Sequence, residues 1–251
     1  MPAPRRSSAK PVILGAVVVV LVLLGGGLAT ALYLNRGGGG GAVASPGTAP
    51  AAGNAAPASA PASAHSTGPI YRKLPACEDF SASTLKSLVP DAQKTTDKHQ
   101  GDNLSCSWDN YLALNGTNES RAIEINMGFF RDSSETATQA AKDKFGDLLS
   151  DAKGQAGTTA AGTKYGAVSS LSGLGTQAFS LDNTTQSDLA TDGATTVDLM
   201  VDNVIVEIAF GGSDGPMGQE KPMAAIDTSK GAQTAAHAAI DWLTACSDCK
   251  S

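Results

Sequence analysis

The stretch Thr195-Thr196-Val197-Asp198-Leu199-Met200-Val201-Asp202-Asn203-Val204-Ile205-Val206-Glu207-Ile208-Ala209-Phe210 decides the fold. β-Branched and aromatic residues lie on both sides of Asp202-Asn203, and an Asp-Asn pair between such runs has the composition of a tight hairpin turn. Thr195 to Val201 and Val204 to Phe210 are therefore predicted as paired antiparallel strands, with Val204, Val206, Ile208 and Phe210 sharing one face. The same two-residue period runs through Arg121 to Phe130. There Ile123, Ile125 and Met127 alternate with Glu124 and Asn126, so one face of that strand meets the core. Leu104 to Trp108 and Tyr111 to Leu114 read as two more strands joined by Asp109-Asn110.

Helical periodicity occupies three other segments. Ser83 to Val89 places Leu85, Leu88 and Val89 together and is ended by Pro90. Ser134 to Ala152, capped by Ser133 or Ser134, carries the stripe Ala137, Ala141, Phe145, Leu148 and Leu149. Asp227 to Ala245 puts Ala232, Ala235, Ala236, Ala239, Ile240, Leu243 and Cys246 on one face. Lys153 to about Ser172 reads as a polar loop, and this segment and Gly211 to Ala225 are the expected variable surfaces. The simplest assembly is an α+β domain over 70–251, an antiparallel sheet with about three helices packed on it, rather than a doubly wound fold.

Upstream of that domain, Val12 to Leu34 is uncharged and lies between Lys10 and Arg36. About 23 residues at ~1.5 Å each would cover roughly 35 Å as a helix, enough to cross a lipid hydrocarbon core of about 30 Å. Arg5, Arg6 and Lys10 before it, against Arg36 after it, favour a cytoplasmic N-terminus. The organisation expected is a cytoplasmic tail at 1–11, a transmembrane helix at 12–34 with the bilayer as partner, a disordered linker at 35–69 and an extracytoplasmic domain at 70–251. A cleaved signal peptide is the alternative, with Ala29-Thr30-Ala31 as its cleavage site, although Leu32, Tyr33 and Leu34 continue the apolar run. The linker is almost wholly Gly, Ala, Pro, Ser and Thr and has no acidic residue, so it cannot build a core. As a tether its reach is roughly 30 to 35 Å.

All 24 acidic residues fall in the domain, against 14 of the 18 basic ones, a net charge of −10. That balance argues against nucleic acid as a partner. The four cysteines, Cys77, Cys106, Cys246 and Cys249, also lie there, and an even number in an oxidising compartment reads as two disulfides. Three connectivities are possible. Cys77 with Cys106 and Cys246 with Cys249 is favoured, because the first closes a loop of about 30 residues and the second is local. Trp108 falls on the same side of its strand as Cys106, where an indole can pack over a disulfide.

Other chemistries are weakly supported. Cys246-Ser247-Asp248-Cys249 has the spacing of a thiol oxidoreductase, but it follows a helix C-terminus, and the dipole and Asp248 there would oppose a thiolate. A four-cysteine zinc site has scattered spacing. Gly173-Leu174-Gly175-Thr176-Gln177-Ala178 has the letters of a dinucleotide fingerprint, yet Gln177 to Leu181 reads as a strand where that motif needs a helix. His65 lies in the tether, His99 in a polar loop and His237 among alanines on the last helix, so no hydrolytic triad assembles. No catalytic, cofactor-binding or metal-binding residue can be named.

Pro75-Ala76-Cys77 before a short helix, Cys106-Ser107-Trp108 on a strand, the Gly173 to Ala178 segment, and Asn203 with Val204 opening a valine-rich strand form a set. The set resembles a family of poorly characterised actinobacterial cell-envelope proteins, over most of Pro75 to Leu243. The resemblance implies an α+β domain exposed outside the membrane with no established enzymatic role, and it supplies no binding residues. Many relatives are lipoproteins, whereas this chain carries a span, and its final cysteine pair departs from their pattern. The expected function is thus a membrane-tethered extracytoplasmic binding or interaction domain for an envelope protein, glycan or small molecule, without a cofactor. An envelope enzyme using acidic residues or the final cysteine pair, and an assembly partner of another membrane protein, remain as alternatives.

Overall fold

The computed structural model describes residues 70–111, 119–131, 134–186, 191–216 and 219–250. The span at 12–34 and the linker at 35–69 lie outside them. No described helix is long and apolar enough to cross a membrane.

The strands are β1 (Gln93–Gln100), β2 (Asn103–Asp109), β3 (Glu119–Phe129), β4 (Thr159–Ala160), β5 (Thr163–Leu171), β6 (Gln177–Gln186), β7 (Thr191–Val201), β8 (Val204–Asp214) and β9 (Lys221–Pro222). They form one sheet in the order β1-β2-β3-β8-β7-β6-β5-β4, with β9 added to β8, and every pairing is antiparallel. The helices are α1 (Ala82–Leu88), α2 (Ser134–Gln155) and α3 (Ala225–Ala245).

The predicted hairpin is the centre of the sheet: Val201 pairs with Val204 across Asp202-Asn203, and Asp202 takes the positive φ of 54° that the turn needs. From there the register aligns Met127, Val206 and Leu199 in one row and Ile125, Ile208 and Val197 in the next. These residues face α3, which covers them with Ala232, Ala235, Ala236, Ala239 and Leu243, all fully buried. Small residues let the helix come close. At Gly231 a Cβ would stand 2.1 Å from Cε1 of Phe210, so only glycine fits. The other face packs on α2, where Ala141, Phe145 and Ala152 meet Phe179, Leu181, Met200 and Ile205. The Phe145 and Phe179 rings meet edge-on at 5.4 Å.

The structure joins Cys77 to Cys106, with Cα atoms 5.7 Å apart, and Cys246 to Cys249, 5.3 Å apart. The first bond ties the 3-10 turn Cys77–Asp79 to β2. Beside it Phe80 stacks on Trp108 at 5.4 Å and meets Trp242 of α3 edge-on at 5.3 Å. The second bond closes a turn that clasps the start of the domain. Arg72 N donates to Cys249 O at 2.8 Å, Tyr71 bridges to Lys250, Lys73 pairs with Asp248, and the Lys250 ammonium lies 4.5 Å from the Tyr71 ring centre.

Several expectations are corrected. His99 is not in a loop: it lies on β1, paired with Leu104. The polar sequence of β1 hid it, because an edge strand exposed on both faces has no apolar alternation. Lys153 to Ser172 is likewise not a loop; α2 runs to Gln155, and β4 and the edge-side strand β5 fill most of the rest. β8 extends to Asp214 and β9 adds Lys221–Pro222, which shortens the second expected loop. Tyr111 sits in a turn, and 112–114, expected as strand, lie outside the described residues.

A polar row across the sheet as candidate functional site

Lys98, Ser105, Asn126, Glu207, Asp198 and Phe179 are successive cross-strand partners on β1, β2, β3, β8, β7 and β6. Strand side chains alternate between faces, and these positions alternate with the core residues under α3, so the row lies on the α2 side. The adjoining row contributes Ser107, Glu124, Ala209, Thr196 and Leu181. α2 covers the apolar end, over β5 to β8. Exposure rises away from it: Asp198 is 6% exposed, Glu207, Asn126 and Ser105 are half-buried, and Lys98 is exposed.

The row gathers acids. Asn126 Nδ2 donates to Glu124 Oε1 at 3.0 Å and to Glu207 Oε1 at 3.3 Å, which links three of the polar side chains. Asp198 stands directly opposite Glu207, and its buried Oδ1 has no hydrogen-bond partner among the described residues. Facing like charges destabilise a sheet, and a buried polar atom left unbonded costs about 1–3 kcal/mol. Burial pushes the Asp198 carboxyl well above the usual aspartate range, and the Glu207 charge pushes it further. Burial also raises Glu124, against the lowering effect of its Asn126 hydrogen bond.

Chemically, the row offers acceptors to a cation or a donor-rich ligand. Neither described histidine joins it. His99 and Lys98 point to opposite faces of β1, and His237 is exposed on α3. No described cysteine is free, and Cys106 belongs to the core under α3. Cys246, Cys249 and Asp248 place ligand-type atoms within 4.8 Å of one another, but both sulfurs are consumed by the disulfide. Gly173 and Gly175 take positive φ in the tight link from β5 to β6, and a Cβ on Gly175 would stand 2.3 Å from Met200 O. A strand, not a helix, follows those glycines.

Sequence reasoning named Glu124 and Asn126 only as the outer half of an alternation and did not single out Asp198 with Glu207. The signal was present. A two-residue turn at Asp202-Asn203 fixes the register, and that register sets Asp198 against Glu207.

No family model matches this chain, and no curated protein does. The chain is similar to the crystal structure of the extracellular domain of PknH from Mycobacterium tuberculosis, at 9% identity and a TM-score of 0.38, over 67% of this chain and 98% of that one. A likeness of that degree carries no functional argument, and the functional reading rests on the residues above.

Proposed function

We propose that this chain is a membrane-tethered extracytoplasmic binding domain of the cell envelope, and that it engages its ligand through the polar row beside α2. The observation that carries the reading is Asp198: a buried carboxyl with an unbonded oxygen at the inner end of a row that opens toward solvent at Lys98. A purely structural sheet face would be apolar where covered and solvated where open. The uncharged segment Val12 to Leu34, the basic residues before it and the two disulfides support a location outside the membrane. The ligand is an envelope protein, glycan or small molecule.

A photo-crosslinking residue in place of Lys98, compared in intact cells with one at Thr244 on the exposed side of α3, tests the reading. Capture of an envelope component from position 98 and not from 244 is expected. Capture from 244 alone, or turnover of the captured component by the purified chain, would refute it.

A further inference from the structure

The two edges of the sheet are finished differently. β1 closes one side as an exposed strand carrying Lys94, Asp97 and Lys98, and its register with β2 slips at Thr95, an extra residue that bends the strand. Charged side chains and bulges are what keep an edge strand from pairing with a further chain. The other edge has no such guard over Ala167-Val168-Ser169-Ser170-Leu171, a run with no charge and no proline. β4 pairs with Thr163 and Lys164 of β5, and Gly157 and Thr158 bond Tyr165 and Gly166, so among the described residues the cover stops before Ala167.

The ladder fixes which backbone groups of this run face out. Gln186 N donates to Gly162 O at 2.9 Å, and β6 runs from there to Gln177 without a register break against β7. Backbone groups alternate between the two sides of a strand, so Ser180 and Ala178 face β5 as Gln186 does, and their partners Ser169 and Leu171 face back at them. Val168 and Ser170 therefore point their N–H and C=O away from the sheet. Tyr165, before the bulge, is oriented the same way, and there the outward groups are used: N donates to Thr158 O at 3.0 Å and O accepts from Gly157 N at 3.2 Å.

Such an edge matches itself. Set antiparallel to a second copy about an axis at Ser169, Val168 of each chain lies opposite Ser170 of the other and exchanges both backbone bonds with it. Ser169 then faces Ser169, and Ala167 faces Leu171. No like charges meet along this run, although the domain as a whole is acidic. Half-buried Val168 and Leu171 gain apolar cover, the first on the α2 side and the second on the α3 side. Gly173, at positive φ, turns the chain back toward β6 soon after Leu171, which keeps the partner clear of β4. The guarded β1 edge does not extend the pairing, so it closes at a dimer instead of growing into a fibre.

We propose that the Ala167 to Leu171 edge of β5 is a docking surface for a second copy of this chain, joining two sheets into one across a two-fold axis at Ser169. The axis stands perpendicular to the sheet, so both copies turn the same face the same way. The contact is short, smaller than interfaces that hold in dilute solution. Its strength comes from copies held on one membrane by linkers with a reach of roughly 30 to 35 Å. It thus rests on the membrane-tethered reading, and not on the polar row.

The test places single cysteines in the full-length chain in its own membrane and reads homodimer on a non-reducing gel. Residues facing each other in a non-hydrogen-bonded antiparallel pair stand about 4.5 Å apart at Cα, within disulfide reach, so Ser169→Cys should link to its own copy. Its homodimer band is expected to exceed that of His99→Cys on the β1 edge by about tenfold. Adding Ser170→Pro deletes an outward N–H that the monomer does not use, and adding Ser170→Lys guards this edge as β1 is guarded; either should abolish the band. Circular dichroism checks that each variant is folded, and Ser170→Lys serves should Ser170→Pro fail to fold. A Ser169→Cys chain that a membrane-impermeant maleimide labels in intact cells but that gives no homodimer would overturn the proposal and leave the extracytoplasmic reading standing. So would an equal band from His99→Cys, a band that survives Ser170→Lys, or a cross-link to a different protein in its place. A chain neither labelled nor linked would remove both.

Discussion

Asn203 gives Tyr71 with its side chain the two hydrogen bonds that a neighbouring strand would give with its backbone: Tyr71 N donates to Oδ1 at 2.8 Å and Nδ2 donates to Tyr71 O at 2.8 Å. The second Nδ2 hydrogen goes to Phe130 O at 2.9 Å, and Phe130 N returns a bond to Asn203 O at 3.0 Å. One fully buried turn residue therefore joins the start of the domain, the end of β3 and the central hairpin. Asn203→Ala would strand three backbone groups and should cost about 2–4 kcal/mol. Urea unfolding checks this, with the midpoint lowered and the slope unchanged; a loss smaller than that of an ordinary surface substitution would show that the bonds are dispensable.

Gly231→Ala is expected to be destabilising although alanine is the better helix former. The added methyl would collide with the Phe210 ring, and overpacking of this kind costs about 1–3 kcal/mol. In the background Phe210→Leu the penalty of Gly231→Ala should shrink, because the atoms it meets are gone. Additive losses in the double variant would contradict a direct clash.

Asp198 contributes to the pH dependence of stability with a sign fixed by its burial. Its pKa is raised in the folded state, so between the ordinary aspartate range and that raised value the native chain holds a proton that the unfolded chain releases. The group's contribution is full in acid and is lost as pH rises through this window. Asp198→Asn removes that loss. Thermal unfolding of the two proteins across the acid-to-neutral range should show the variant gaining on the wild type as pH rises. A variant that loses ground with rising pH would reverse the assignment.

The two disulfides should separate under mild reductant. Cys77 and Cys106 are 1% and 0% exposed, whereas Cys246 is half-buried beside exposed Ser247 and Asp248. Mass spectrometry after brief reduction and alkylation should label Cys246 and Cys249 first. The separations of 29 and 3 residues imply losses of about 3–4 and about 2 kcal/mol when each pair is replaced by serine. Equal labelling of all four thiols would mean that burial does not protect the first bond.

The hairpin around Asp202-Asn203, the Ile123 to Met127 alternation and the three amphipathic helices were legible because each buried face repeats at the period of its own element. β1 and β5 were not. Gln93–Gln100 is exposed along nearly its whole length and Thr163–Leu171 lies near the opposite edge, so neither carries an apolar stripe. Trp242 on α3 was also passed over, since it extends the alanine face rather than sitting within it. The polar row was half visible: Glu124 and Glu207 stand at the outward positions of their strands. That α2 buries part of that face, turning Asp198 from a solvated acid into a buried one, depends on tertiary packing that no local pattern encodes.

The clasp at Tyr71 determines how mechanical load would travel. Tension arriving through Ile70 meets a backbone gripped by Asn203 in the middle of the sheet and by Cys249 and Lys250 of the stapled turn. Neither grip lies on β1 or β4, so a tug on the domain would reach the central hairpin turn and the stapled turn before either rim strand.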